Sequence, residues 1–203
     1  MSMISKSDMQ HVSVEELRQM AADAKESIWA QAQSAGREPK LYLHWTAGRF
    51  GQFWDDYHVQ IDGDGEIYVY GALDDVLAHT WHRNTGAVGI TLLGAYGATT
   101  EDLGDYAPTE AQIESMAKVI DALAEGLWLT IDKTHVLTHG EAADNEDGEW
   151  CHEEYGPKST VERWDLEYLG TDESPSYNPY AEDGSRGGDV LRGKALWYHN
   201  QRA

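Results

Sequence analysis

Residues 87–93 read AVGITLL, an apolar run almost without a break, bounded by Gly86 and Gly94. Continuous rather than alternating apolarity means burial on both faces, so this run is expected to be an interior strand of a covered sheet. The flanking segments supply the cover. Ser13 and Glu16 stand in capping-box spacing, and Leu17, Met20, Ala21, Ala24, Ile28 and Ala32 then share one helical face that stops at Gly36. Thr109 and Gln112 open a second such helix, with Ile113, Met116, Ala117, Ile120, Leu123 and Leu127 on its buried stripe. Short strands are expected at 41–43, ending in His44, and at 134–138, ending at His139. Residues 57–70 read as a hairpin that turns at Asp62-Gly63-Asp64-Gly65. Together these elements predict a single α/β domain with a central mixed sheet flanked by helices.

The charge balance narrows the function. Among 203 residues, 36 Asp and Glu outnumber 15 Lys and Arg, for a formal charge of −21. That field repels phosphate backbones, so nucleic acid is excluded as a partner, and because nowhere do 18 apolar residues run together, stable membrane insertion is not expected. Eight Trp and eleven Tyr are far more large apolar surface than a disordered acidic chain carries. The single cysteine, Cys151, excludes an intrachain disulfide. The opening MSMISKSDMQ lacks the apolar stretch of a secretory signal, and the expectation is synthesis in the cytoplasm without a signal peptide.

Three parts are expected: an N-terminal helical segment at 1–38 packed on the domain, a catalytic domain at 39–170, and a C-terminal tail at 171–203. Residues 141–154 carry seven acids and no Lys or Arg, which reads as a solvated surface loop. A short helical patch is expected at 159–169 and a small docking helix at 190–199.

His44 and His139 end two strands assigned to the same sheet, and open α/β sheets gather functional groups at that edge. Imidazole is a common zinc ligand, and a catalytic zinc site takes about three protein ligands and leaves one position open. Two histidines alone fit either such a site or a pair of polar strand ends.

The surrounding words carry more. His44-Trp45-Thr46-Ala47-Gly48, then Tyr57-His58-Val59-Gln60-Ile61 with its Asp-Gly turn and Ile67-Tyr68, then His79-Thr80-Trp81-His82-Arg83-Asn84 before Val88-Gly89-Ile90, and last Thr138-His139, follow one another in order. This order resembles the zinc-dependent N-acetylmuramoyl-L-alanine amidases of type 2, whose superfamily includes phage endolysins and peptidoglycan recognition proteins. The resemblance covers roughly residues 41–169. It implies one Zn2+ per chain, held by His44, His139 and a third ligand with a basic residue two positions before it. Arg163-Trp164-Asp165 has that spacing, which makes Asp165 the expected ligand and Arg163 the basic catalytic residue. Tyr57 matches a tyrosine that assists catalysis, His79 stands where the family has a substrate-side histidine, and Trp81 and Asn84 are expected groove contacts for sugar or peptide.

Two departures stand out. Asp165 lies 26 positions after His139, longer than the family's usual spacing, so the acidic segment is an insertion and Cys151 inside it is a rival ligand. Where some relatives carry a glutamate base on the central strand, this chain has Thr91, which cannot serve as a base at neutral pH. The resemblance implies hydrolysis of the amide joining N-acetylmuramic acid to L-alanine in peptidoglycan, by a monomer acting on the wall after release or as part of a phage. The alternatives are an amidase of recycled muropeptides and a recognition module that binds peptidoglycan without cutting it.

Overall fold

The structure, a computed structural model, describes residues 1–202. Its first elements are β1 (Met3–Ile4), β2 (Gln10–Val12) and α1 (Val14–Ser34), and β3 (Lys40–Trp45) and β4 (Phe53–Trp54) follow. The middle of the chain forms β5 (Val59–Ile61), β6 (Ile67–Val69), β7 (Ala87–Leu92) and α2 (Glu110–Leu127). The last elements are β8 (Val136–Thr138), α3 (His139–Ala143) and α4 (Gly187–Arg202). Six strands form a mixed sheet in the order β2-β6-β5-β7-β3-β8, and β1 pairs with β4 in a separate two-stranded ladder. Strands β5, β7, β3 and β8 run parallel, while β6 and β2 are antiparallel to their neighbours.

Alternation along β3 separates the two faces of the domain. Leu41, Leu43 and Trp45 enter the main core with Leu17, Ile28, Ile113, Ile120 and Leu127 of α1 and α2. Each such aliphatic side chain, fully buried, contributes roughly 1.5–3 kcal/mol. Lys40, Tyr42 and His44 point the other way, and Tyr42 packs there with Ala87, Leu137 and Ala142 of α3. The parallel register sets His44 opposite Thr91 and Tyr42 opposite Gly89, so β7 presents small residues to this second face.

Both long helices start where their caps place them, with reciprocal capping boxes at Ser13–Glu16 and Thr109–Gln112. The hairpin and the interior position of β7 are as the sequence predicts. Four features differ. The strand expected at 134–138 begins at Val136, because the Asp132 carboxylate accepts the backbone N–H groups of Thr134 and His135 and holds them in a turn. The segment at 159–169 is not helical: Val161 and Leu166 have φ of 59° and 62°, and left-handed residues interrupt a right-handed helix. The helix expected at 190–199 extends over Gly187–Arg202 and packs on α2 and β8.

The fourth difference concerns the acidic segment at 141–154, which is not a solvated loop. Glu141 and Asp144 are buried, and the Asp147 side chain is wholly enclosed. Cations from distant parts of the chain explain it. Arg83 Nη1 lies 2.6 Å from Asp147 Oδ2 and Arg83 Nη2 lies 3.1 Å from Oδ1, with Lys40 Nζ 3.2 Å away on the Oδ2 side. Arg83 also donates to Asn145 Oδ1 and the Glu149 carbonyl, clasping the insertion to the sheet. Among the described residues, no helix is long and apolar enough to cross a membrane.

Candidate metal centre

His44 occupies the penultimate position of β3, completely buried on the face away from the long helices. His139 is the first residue of α3, and a capping box fixes it in place: the Thr138 hydroxyl accepts from the Glu141 N–H while the Glu141 carboxylate accepts from the Thr138 N–H. Since β3 and β8 are adjacent and parallel, the two histidines emerge side by side. Their Nδ1 atoms are 3.0 Å apart. Asp165 arrives from the turn between the two left-handed residues, and its Oδ2 lies 3.8 Å from each Nδ1.

These three atoms suit a single small cation. Tetrahedral zinc at its usual bond lengths places neighbouring N and O ligands about 3.3 Å apart, close to the spacing here. The remaining ring nitrogen of His44 sits 3.3 Å from Thr80 Oγ1, so an Nε2–H donated there leaves the Nδ1 lone pair facing the centre. Burial, aided by the charges of His44 and Arg163 and opposed by Asp165, lowers the His139 pKa to about 3, which keeps its imidazole neutral and free to coordinate. Burial pushes the Asp165 carboxyl up, but the adjacent His44 and His139 rings and the Arg163 guanidinium more than offset it and hold it below the usual range. Cys151, on the insertion, lies outside the group; its N–H donates to Asn145 Oδ1.

Beside this group lies a cleft of about 360 Å3 that His139 and Asp165 line together with Trp45, Tyr57, Arg163 and Trp164. It adjoins a second hollow of about 410 Å3 that includes Trp81, Asn84, His152 and Tyr155; His79, His139 and Arg163 border both. The Tyr57 ring stands 5.2 Å from that of His44. Burial and the Asp165 charge raise its pKa, so its phenol keeps the proton and can donate it in a hydrogen bond. Arg163 is exposed at the cleft mouth.

The residues expected to contact substrate divide. Trp81 is 61% exposed beside the second hollow, with its ring 4.8 Å from that of His82. Asn84 lines that hollow but commits its carbonyl oxygen to the Thr80 N–H at 2.7 Å, which holds the turn bearing Thr80. His79 is buried, with its ring 5.4 Å from that of His44 and its Nδ1 2.8 Å from Thr80 Oγ1. Room for it comes from Gly89, where a Cβ would fall 2.6 Å from His79 Cγ. Thr91 is wholly buried beside His44, donates to the Leu92 carbonyl and brings no carboxylate to the centre.

Sequence reasoning did not single out Thr80 or Tyr155. A lone hydroxyl behind a histidine has no periodic signature. Tyr155 borders the second hollow with its hydroxyl buried and unpaired, and burial pushes that phenol up to about 12. Its position depends on how the insertion folds back.

Comparison with known proteins adds the following. The endolysin N-acetylmuramoyl-L-alanine amidase LysCS of Clostridium intestinale is 20% identical over 49% of this chain and 67% of its own, with a TM-score of 0.39. Drosophila peptidoglycan recognition protein SD is 17% identical over 50% of this chain and 68% of its own, with a TM-score of 0.38. The endolysin of Thermus scotoductus bacteriophage Ph2119 is 17% identical over 50% and 71%, also with a TM-score of 0.38. No curated protein matches the chain. The family model for N-acetylmuramoyl-L-alanine amidase matches residues 13–154, a span that contains His44 and His139 and stops short of Asp165. With that match over well more than half of its length, the chain belongs to the N-acetylmuramoyl-L-alanine amidase family.

Proposed function

We propose that the chain is a zinc-dependent peptidoglycan hydrolase that cuts the amide between the lactyl group of N-acetylmuramic acid and L-alanine of the stem peptide. The observation that carries this reading is the convergence of His44 Nδ1, His139 Nδ1 and Asp165 Oδ2 within 4.8 Å of one another, with His139 and Asp165 lining a cleft. His44, His139 and Asp165 would hold the metal. When bound there, zinc supplies Lewis acidity toward a carbonyl oxygen and toward water at neutral pH.

The chain's own groups do the rest. Tyr57 offers a protonated phenol to the carbonyl oxygen as negative charge builds on it, and Arg163 brings a permanent positive charge to the same cleft. Trp81 and Tyr155 give the adjoining hollow aromatic surface for the sugar or stem peptide. With Thr91 in place of a carboxylate base, Tyr57 and Arg163 carry the polarisation of the amide.

The enzyme acts as a monomer on intact wall, in the manner of a phage or prophage endolysin, after leaving the cytoplasm in which it is made. Purified sacculi incubated with the wild type, His44→Ala and Asp165→Ala test this. Peptide release by the wild type alone supports the reading, and release by both variants overturns it. Sacculi bound but uncut by the wild type would indicate a recognition module instead. Faster cleavage of soluble anhydro-muropeptides than of sacculi would indicate recycling.

A further inference from the structure

The C-terminal segment beyond Gly170 lies outside the family match, and the proposed chemistry does not use it. It nevertheless grips both loops that carry the second and third members of the metal group. Glu141 stands two residues after His139, and its buried carboxylate accepts from Arg192 Nη1 and Nη2, each at 2.8 Å. Glu167 stands two residues after Asp165, and its buried carboxylate accepts from Arg186 Nε at 3.0 Å and Nη2 at 2.8 Å. Both arginines are themselves almost fully buried, with side chains 4% and 8% exposed for Arg186 and Arg192. Paired prongs fix direction as well as distance, which a single ammonium would not do.

The backbone between these arginines fits the same two loops. Gly187 lies against the Leu166 carbonyl oxygen and Gly188 against the Glu141 carboxylate, so closely that a Cβ at either would collide. The Gly187 N–H donates to the Glu167 carbonyl at 3.0 Å. Arg192 also donates to the Val136 carbonyl at the start of β8, and Arg186 to both oxygens of Glu146 in the insertion. One short stretch of tail thus touches the strand before His139, the helix after it and the turn that delivers Asp165.

We propose that this stretch braces the metal group, with Arg186 and Arg192 as positioning residues that set the separation of His139 from Asp165. His44 needs no brace, because it is held within the sheet between β7 and β8. The inference rests on the zinc reading. The far end of α4 provides an internal control. Arg202 ties that end to Asp121 on α2, at 2.9 Å for Nε and 2.5 Å for Nη2, without touching either loop.

The test is titration of the full-length apo-protein with Co2+, read by its visible absorption, for the wild type, Arg186→Gln, Arg192→Gln and Arg202→Gln. Far-UV circular dichroism controls for folding. The expected result is metal affinity lower by about tenfold or more in the Arg186 and Arg192 variants, with an altered cobalt spectrum. Arg202→Gln should bind as the wild type does. Arg192→Lys, which keeps the charge but not the fork, serves if Arg192→Gln does not fold, and should bind more weakly than the wild type. Unchanged affinity in folded Arg186 or Arg192 variants, or an equal loss in Arg202→Gln, overturns the brace while leaving the zinc reading intact. Failure of the wild type to bind Co2+ or Zn2+ overturns that reading and the brace with it.

Discussion

The Nδ1 atoms of His44 and His139 face each other at 3.0 Å although 95 positions separate the two residues in the chain. Adjacent parallel strands make this meeting inevitable, since β3 and β8 both end at the same edge of the sheet. Two imidazole lone pairs so close repel unless a proton or a cation lies between them, and Asp165 Oδ2 at 3.8 Å from both supplies the matching charge.

Tyr57→Phe removes one donor from the cleft while leaving the ring that packs beside His44. Loss of one donor to a developing oxyanion costs about 10²–10³ in kcat. The expected outcome on a soluble muropeptide is a fall in kcat of that order with little change in KM and an unchanged melting temperature. Full activity would remove Tyr57 from the reaction.

Acidification should weaken the metal-free fold through His139. Its folded pKa of about 3 lies below the unfolded value of about 6.5, so between those limits the unfolded chain binds more protons. The contribution is present above about pH 6.5 and is lost progressively as pH falls toward 3. By pH 5 the loss amounts to ~2 kcal/mol. Thermal melts of apo wild type and apo His139→Asn at pH 7 and pH 5 check this: the wild type should lose more stability between the two than the variant. Parallel behaviour would mean that His139 does not titrate as described.

Arg83→Ala breaks the clasp on the acidic insertion. Asp147 is left enclosed with Lys40 as its remaining cation, and breaking a buried pair costs about 3–5 kcal/mol. Urea denaturation should show a loss near the lower end of that range. An Arg83→Ala protein as stable as the wild type would show that the insertion is not anchored there.

Gly89→Ala should destabilise by roughly 1–3 kcal/mol, since its methyl group collides with the His79 ring. The collision disappears with the ring. The double variant Gly89→Ala with His79→Ala should therefore lose less stability than the two single losses added together, as a double-mutant cycle reads it. Strict additivity would contradict the contact.

What the sequence shows of this protein depends on how local each signal is. The caps at Ser13 and Thr109 place the starts of two helices to the residue, and the run at 87–93 places β7 inside the sheet, because caps and patterning act over a few neighbouring positions. The motif order brings His44, His139 and Asp165 into view, and the fold sets them together. The acidic insertion reads as solvated in the sequence because the cations that neutralise its acids stand at 40, 83 and 186, far away in the chain. The turn bearing Arg163 and Asp165 carries a helical pattern, yet Val161 and Leu166 adopt left-handed φ that their side chains do not advertise.

The most direct measurement is metal content per chain of the purified wild type, Cys151→Ser and Asp165→Asn. One zinc per chain is expected in the wild type and in Cys151→Ser, with loss from Asp165→Asn. Zinc retained by Asp165→Asn and lost from Cys151→Ser would contradict the assignment of the third ligand, and a wild type without zinc after equilibration with the metal would contradict the centre itself.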